Sequence, residues 1–163
     1  MARATKSKRS FWLLKSEPDC YSIDDLQRDG RTGWDGVRNY QARNLMRDEM
    51  RVGDYAVFCH SSADPAGAAG VAEIVGPARP DATALDPDND HYDSKATVDD
   101  PIWLLVDVGF VAKFPRFVAL DAMKAEKRLA TAMVLAKGSR LSVQPLSPEH
   151  FAVICELGGW RPK

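Results

Sequence analysis

The chain has 163 residues, of which 45% are hydrophobic and 28% charged, and its formal net charge is −1. These values indicate one ordinary globular domain and argue against a disordered or fibrous protein. No apolar stretch approaches the ~20 residues of a membrane helix, and no signal-peptide pattern follows the basic N-terminus. We therefore expect no membrane association and a cytoplasmic location, or a nuclear one in a eukaryote.

The cysteines and histidines are too scattered to indicate a metal site. The three cysteines show no CxxC spacing, and an odd number cannot pair completely within one chain, so we expect reduced thiols. The three histidines show no HExxH spacing. We therefore predict neither a metal nor an organic cofactor.

The first elements follow a basic segment. Residues 1–10 are predicted to be a flexible arm in which Lys8 and Arg9 contact phosphate groups. The apolar run "FWLLK" predicts a strand, and the polar turn after it contains Pro18. Ser22 and Asp25 have the spacing of a capping box for a short helix "IDDLQRD".

The stretch "WDGVRNYQARN", residues 34–44, combines aromatic, amide and arginine side chains around a turn. Trp34 lies in a Gly- and Asp-rich turn where core filling is unusual, so we expect it to line a site. Trp12, inside an apolar strand, is expected in the core. Asn39 is placed to cap a helix "YQARNLMRDEM".

The arginines of this region have two interpretations. Arg38 and Arg43 present planar forks that match phosphate. The alternative is a solvated helix face that pairs with Asp48 and Glu49. The segment "PDATALDPDNDHYD" is rich in Asp and Pro, which predicts a long surface loop that a polyanion would avoid.

The remaining patterns mix strands and helices without regular alternation. The long alternating run "IWLLVDVGFVAKF" predicts a half-buried strand, and "LDAMKAEKRLATAMVLAKG" is helical in composition. Other predicted strands are "DYAVFCH", "GVAEIV" and "RLSVQ", and Ser147 and Pro148 predict the start of a last helix. GxGxxG and GxxxxGK[ST] are absent. We therefore predict an α+β domain with a small, strongly curved mixed sheet.

Five blocks of the sequence resemble the motifs of the EVE domain family. They are "FWLLKSEPDCYSIDDL", "GWDGVRNYQARNLMRD", "VGDYAVFCHSS", "AGVAEIV" and "RLSVQPLSPEHF". The resemblance implies a PUA-like fold, a small mixed β-barrel with flanking helices, over residues 11–160, related to YTH domains. It also implies a non-catalytic reader of a modified nucleobase, notably 5-methylcytosine and its oxidised forms, in DNA or RNA.

A protein that reads one base takes it out of the stack, places it against aromatic side chains and hydrogen-bonds its edge. For the wall, Trp34 is the first candidate; for the exocyclic amine of cytosine, Glu17 or Asp35 is a suitable acceptor. Each polar residue alone is explained better as a cap or a solvated turn residue than as a pocket residue. The pocket positions implied by the resemblance are Ser16, Glu17, Trp34, Asn39, Tyr40, His60, Ser61, Ser142 and Gln144.

Three alternatives to a base reader stay open: an enzyme related to RNA modification, a nonspecific nucleic-acid-binding module and a protein-interaction module. No GxSxG elbow surrounds the serines of "CHSS", and the HxE and PCxxC signatures of zinc deaminases are absent. We therefore expect no catalysis, and a nucleic acid that carries a modified base is the predicted partner.

Overall fold

The computed structural model describes residues 9–136 and 141–162. The strands in these ranges are β1 (Phe11–Ser16), β2 (Arg31–Gly33), β3 (Tyr55–His60), β4 (Gly67–Ile74), β5 (Arg79–Pro80), β6 (Leu104–Leu105), β7 (Asp107–Ala119) and β8 (Val143–Leu146). The α-helices there are α1 (Ile23–Asp29), α2 (Tyr40–Asp48), α3 (Leu120–Ala125) and α4 (Pro148–Gly158). None of the helices in the described ranges is long and apolar enough to cross a bilayer.

Six strands form one curled sheet in the order β2-β7-β4-β3-β1-β8, while β5 and β6 pair separately. Within this sheet β1 and β3 run parallel, and the other neighbours are antiparallel. The register shifts where β4 meets β3 and β7, and such bulges increase the local twist and bend a sheet. The sheet is a half-barrel, which confirms the predicted α+β, PUA-like class.

The predicted helix starts are confirmed at atomic detail. The Ser22 hydroxyl accepts from the Asp25 backbone N–H at 3.1 Å, and the Asp25 carboxylate accepts from the Ser22 N–H at 2.9 Å. These two bonds satisfy donors that the first turn of α1 leaves unpaired. The last helix begins as predicted, with Ser147 as its cap and Pro148 in its first turn.

The helix predicted from residue 120 to residue 138 is wrong beyond Ala125. There α3 ends, and two short 3-10 turns follow at Lys127–Leu129 and Met133–Leu135. Met123, Leu129 and Ala132 are buried in one cluster, yet their spacing would point them to different sides of a continuous helix. Burial therefore overrides helical composition here, and residues 137 and 138 lie outside the described residues.

The predicted long strand is divided in the structure. Leu104 and Leu105 pair with β5, and β7 begins only at Asp107 and continues beyond the predicted end to Ala119. The break falls at Val106, whose carbonyl accepts from the Trp34 N–H at 2.8 Å. A contact from a distant turn therefore sets the boundary.

The sheet carries a hydrophobic cluster on each face. Successive residues of a strand point to opposite faces, so Trp12 and Leu14 enter the cluster with α1 and α2, whereas Leu13 enters the cluster with α4. The Trp12 indole N–H donates to the buried Asp54 carboxylate at 2.9 Å, and the prediction that Trp12 lies in the core is confirmed. The first cluster, on the face of Trp12, is the one that adjoins the candidate site.

Candidate functional site

The carboxyl ends of β1 and β3 bring four predicted site residues together. Because the two strands are parallel and in register, Ser16 lies opposite His60. The Ser61 N–H donates to the Ser16 carbonyl at 2.9 Å, and Glu17 follows at the exposed end of β1. The carboxyl ends of these two parallel strands therefore bring the four residues to one edge of the sheet.

The side chains of Ser16 and His60 share the sheet face of the first hydrophobic cluster. Strand alternation places Ser16 on the side of Leu14, and His60 on the side of Phe58. The Phe58 ring meets the His60 ring edge-on at 5.8 Å and the Trp34 indole edge-on at 5.4 Å. An aromatic row therefore runs from the core to the edge of the sheet.

Trp34 is itself part of that core. Its side chain is only 7% exposed and packs in the first cluster, so the expectation that a turn tryptophan would not fill the core is wrong. The reason is the pairing of β2 with β7, which sets Gly33 opposite Asp107 and turns the indole inward onto Phe58. A role for the exposed edge of Trp34 in a pocket stays a prediction.

Asn39 and Tyr40 lie together at the N-terminus of α2. The Asn39 side-chain oxygen accepts from the Ala42 N–H at 2.9 Å, which confirms the predicted cap. Tyr40 is 56% exposed, and its ring lies against that of Trp103 with centroids 4.7 Å apart. The side-chain oxygen of Asn39 is thus used in capping α2, whereas much of the Tyr40 side chain is exposed to solvent.

The two predicted phosphate-binding arginines of this region make hydrogen bonds inside the chain. Three nitrogens of the Arg38 guanidinium donate to Asp81, Thr83 and the carbonyls of Val37 and His91. Arg43 donates to the Ile102 carbonyl and to the neighbouring Asn44 side chain. These bonds favour a structural role, and phosphate contact by either arginine stays a prediction.

The acidic segment that follows β5 is not simply a solvated loop. Asp81 is fully buried and accepts from Gly36 N–H at 2.8 Å, Thr83 N–H at 2.9 Å, the Thr83 hydroxyl at 2.6 Å and Arg38 at 3.0 Å. Burial alone would raise the pKa of Asp81, but these hydrogen bonds outweigh it and hold the pKa below its usual value. Burial, together with the Asp81 charge, raises the pKa of nearby Asp35.

The remaining predicted pocket residues lie on or before β8. Gln144 pairs with Leu13 and is buried, and its amide N–H donates to the Leu141 carbonyl at 2.8 Å. Because Leu13 belongs to the second cluster, strand alternation places Gln144 on the opposite face from Trp34. The Ser142 carbonyl accepts from Lys15 N–H at 2.9 Å, next to β1. The structure therefore does not bring Gln144 to the candidate site.

Of the two arm residues predicted to contact phosphate, Lys8 and Arg9, the structure describes Arg9. It donates to the Gly53 carbonyl at 2.6 Å, and its guanidinium lies 3.8 Å from the Tyr55 ring centroid. Tyr55 begins β3 and His60 ends it, so Arg9 lies at the other end of this strand from the site. Lys8 lies outside the described residues, and its phosphate contact stays a prediction.

Three residues that the sequence did not single out complete the edge. The Ile23 N–H donates to His60 Nε2 at 3.2 Å, and the Ser16 hydroxyl donates to the Tyr21 carbonyl at 2.7 Å. Phe117, 40% exposed, comes from the bulged part of β7, and its ring centroid is 6.0 Å from that of His60. No local pattern marks Phe117, because only the register shift of β7 brings it here.

The ionisable groups that act on His60 include Asp24 and Lys113, which form an ion pair with each other at 2.7 Å. Burial lowers the pKa of His60, which favours the neutral imidazole near neutral pH. Within residues 9–136 and 141–162, no group of three or more His, Cys, Asp or Glu side chains is arranged to hold a metal ion. The site combines an aromatic row with hydrogen-bonding groups, and the ion pair of Asp24 and Lys113 lies beside it.

Comparison with known proteins identifies relatives along almost the whole chain. The EVE domain model matches residues 10–157. Human thymocyte nuclear protein 1 is 41% identical over 170 residues, which cover 93% of this chain and 75% of that protein. A crystal structure of a protein from Pseudomonas syringae is 48% identical with a TM-score of 0.88, over 91% of this chain and 99% of that one.

Two further structures contain methylated nucleic acid. Human THYN1 in complex with DNA containing 5-methylcytosine is 41% identical with a TM-score of 0.85, over 94% of this chain and 99% of that one. A Zygosaccharomyces rouxii YTH domain in complex with N6-methyladenosine RNA shares the fold alone, at 18% identity and a TM-score of 0.55, over 96% and 88% of the two chains. By the match of its sequence and fold, the chain belongs to the EVE domain family.

Proposed function

We propose that this protein is a non-catalytic reader that binds nucleic acid through one modified base at the carboxyl ends of β1 and β3. The observation that carries the proposal is the pairing of Ser16 with His60 above the aromatic row of Phe58 and Trp34. This arrangement lies in a chain 41% identical to human THYN1, which has been crystallised with DNA containing 5-methylcytosine. We therefore propose 5-methylcytosine in DNA as the first ligand to test.

The chemistry of the site suits recognition of a base that has left the stack. Such a base needs an aromatic or apolar wall and hydrogen bonds to its edge. The Phe117 ring provides flat surface at the edge of the sheet, and polar groups lie beside it on Ser16, Glu17, His60 and Ser61. One additional methyl group in such a pocket contributes ~1 to 3 kcal/mol, so the preference should be graded rather than absolute.

Two of the three thiols and the His60 imidazole support binding rather than catalysis. Burial raises the pKa of the Cys59 and Cys155 thiols to about 12, so neither supplies a thiolate near neutral pH. His60 Nε2 is occupied by the Ile23 N–H and is not free to take a proton from a nucleophile. We accordingly propose that the base is bound and released unchanged, without metal or cofactor, and in the nucleus if the cell has one.

The test is a binding series in one oligonucleotide context. Fluorescence anisotropy would compare cytosine, 5-methylcytosine, adenine and N6-methyladenine at a single position, and we expect 5-methylcytosine to bind about 5- to 150-fold more tightly than cytosine. Equal affinity for all four would contradict a base reader. Analysis of the recovered nucleosides by mass spectrometry would contradict the non-catalytic proposal if the base were altered.

A matched pair of variants tests whether the base binds at this edge of the sheet. Glu17 and Glu149 are both exposed, but Glu17 follows β1 at the site, whereas Glu149 lies in the first turn of α4. We expect Glu17→Gln to weaken binding of the methylated oligonucleotide and Glu149→Gln to leave it unchanged. Equal effects of the two substitutions would argue against a pocket at this edge of the sheet.

A further inference from the structure

Two hydrogen bonds at the ends of β1 and β3 fix where the Ser16 hydroxyl and the His60 ring carry their hydrogen atoms. Ser16 Oγ lies 2.7 Å from the Tyr21 carbonyl oxygen, and His60 Nε2 lies 3.2 Å from the Ile23 backbone nitrogen. Both partners belong to the turn and first helical residue that fold over the strand ends. Each contact therefore fixes one polar side chain to the main chain.

The first contact makes Ser16 an acceptor toward any ligand. A carbonyl oxygen has no hydrogen to donate, so the hydroxyl hydrogen of Ser16 points to Tyr21. The carbonyl of Glu17, 3.4 Å away, is likewise only an acceptor. The lone pairs of Ser16 Oγ are what this side chain offers to a ligand.

The second contact makes His60 a donor toward any ligand. A backbone N–H can only donate, so His60 Nε2 must accept, and the single proton of the neutral ring is then on Nδ1. Among the residues that the structure describes, Nδ1 has no hydrogen-bond partner. Burial of the ring lowers its pKa, which is consistent with the neutral form.

We propose that Ser16 and His60 form a fixed acceptor and donor pair that selects the edge of the bound base: Ser16 Oγ accepts from an exocyclic amino group, and His60 Nδ1–H donates to the adjacent ring nitrogen. This proposal rests on the proposed function and specifies its chemistry. The two residues are directly opposite in neighbouring strands, which lie ~4.8 Å apart, so both side chains can approach a single base.

The pair matches some bases and not others. On the Watson–Crick edge, cytosine and adenine present an amino group next to an unprotonated ring nitrogen, whereas thymine, uracil and guanine present a carbonyl next to a protonated ring nitrogen. The methyl group of 5-methylcytosine lies outside this pair of atoms, so it leaves both hydrogen bonds intact. The site should therefore accept methylation of the ring carbon but reject a methyl group on the ring nitrogen.

The sharpest ligand comparison is 5-methylcytosine against thymine. Both carry the same methyl group and similar stacking surface, and they differ in the amino group and ring nitrogen that the pair contacts. In one oligonucleotide context we expect thymine to bind about 10- to 100-fold more weakly, because both polar groups of the pair would face the wrong partner. N3-methylcytosine should be rejected similarly.

Two substitutions of His60 separate recognition from support of the fold. His60→Gln places an acceptor near Nε2 for the Ile23 N–H but removes the Nδ1 donor, whereas His60→Asn retains a donor near Nδ1 and loses the Ile23 bond. We expect His60→Gln to melt near the wild-type temperature and lose the preference for 5-methylcytosine over thymine. His60→Asn should melt lower and keep part of that preference, and His150→Gln, in α4, is the matched control.

An NMR experiment on the free protein can test the tautomer of His60 directly. Long-range proton–nitrogen NMR correlation of the His60 ring near neutral pH should show a protonated Nδ1 and an unprotonated Nε2. A proton on Nε2 would overturn the proposal whatever the protein binds.

The binding outcomes distinguish this proposal from the one on which it rests. A protein that prefers 5-methylcytosine to cytosine but binds thymine equally well overturns the donor and acceptor pair and leaves the reader function standing. If 5-methylcytosine and cytosine bind equally in every context, the reader function fails and the pair fails with it. Retention of full discrimination by His60→Gln assigns His60 a structural role only and overturns the proposal.

Discussion

Asp81 is predicted to be a principal determinant of stability, although it lies in an acidic segment that resembles a solvated loop. Its buried carboxylate accepts four hydrogen bonds, two of them from Gly36 and Arg38 in the turn that also carries Trp34. The perturbation is Asp81→Asn, which preserves the shape of the side chain but removes its charge. Arg38 is then left without the carboxylate that neutralises it.

Removing one partner of a buried ion pair costs about 3 to 5 kcal/mol. The Arg38 side chain is 22% exposed, so water compensates part of the loss and we expect the lower end, about 3 kcal/mol of unfolding free energy. At ~2 to 4 °C per kcal/mol for a chain of this size, Tm should fall by about 6 to 12 °C.

The Asp81 contribution also has a defined pH dependence. The folded-state pKa of Asp81 is depressed, so its stabilisation is present above the unfolded pKa of about 3.9 and is lost as pH falls through the lower folded value. The wild-type protein should therefore lose more stability than Asp81→Asn as the pH decreases below about 4.

The assay is chemical and thermal unfolding followed by circular dichroism, with Asp90→Asn as the control. Asp90 is an exposed acidic residue of the same segment, so its substitution should change the unfolding free energy by less than about 0.5 kcal/mol. If Asp81→Asn and Asp90→Asn were equally stable, the assignment of Asp81 as a buried anchor would be refuted.

Three other predictions test the core, the arm and the thiols. Trp34→Ala should lower the unfolding free energy by about 3 to 5 kcal/mol, since the indole fills the core; unchanged denaturant unfolding would contradict this burial. Deletion of residues 1–10 should reduce the slope of log affinity against log salt by about 0.7 to 0.9 for each phosphate that the arm neutralises, while discrimination between bases stays as it is. Impaired discrimination would show that the arm takes part in base recognition. A thiol reagent should modify exposed Cys20 rapidly in the native protein and the two buried thiols only after unfolding; rapid reaction of all three would contradict their burial.

The elements that the sequence predicted well are those whose signals are local. The capping box of Ser22 and Asp25 satisfies backbone donors within three residues, and Ser147 acts in the same way for α4. The β1 strand could be predicted from its apolar run between polar residues alone. Such features are decided by neighbours along the chain, so they are visible before the fold is known.

The candidate site depends on contacts that no local pattern contains. Trp34 lies in a sequence typical of a turn, yet its burial depends on Phe58, and the burial of Asp81 depends on Gly36. Gln144 resembled the other polar candidates, but its register opposite Leu13 places it on the other face. Phe117 reaches His60 only because β7 shifts register against β4.

The pairing of β1 on both of its edges has a consequence for how the protein is made. On one edge Phe11 pairs with Tyr55, and on the other it pairs with Leu146, far along the chain. During synthesis the first edge is covered early, while the second stays unpaired until β8 leaves the ribosome. The unpaired backbone N–H and C=O groups of a strand edge can pair with another chain. We therefore expect aggregation of nascent or truncated chains to begin at β1.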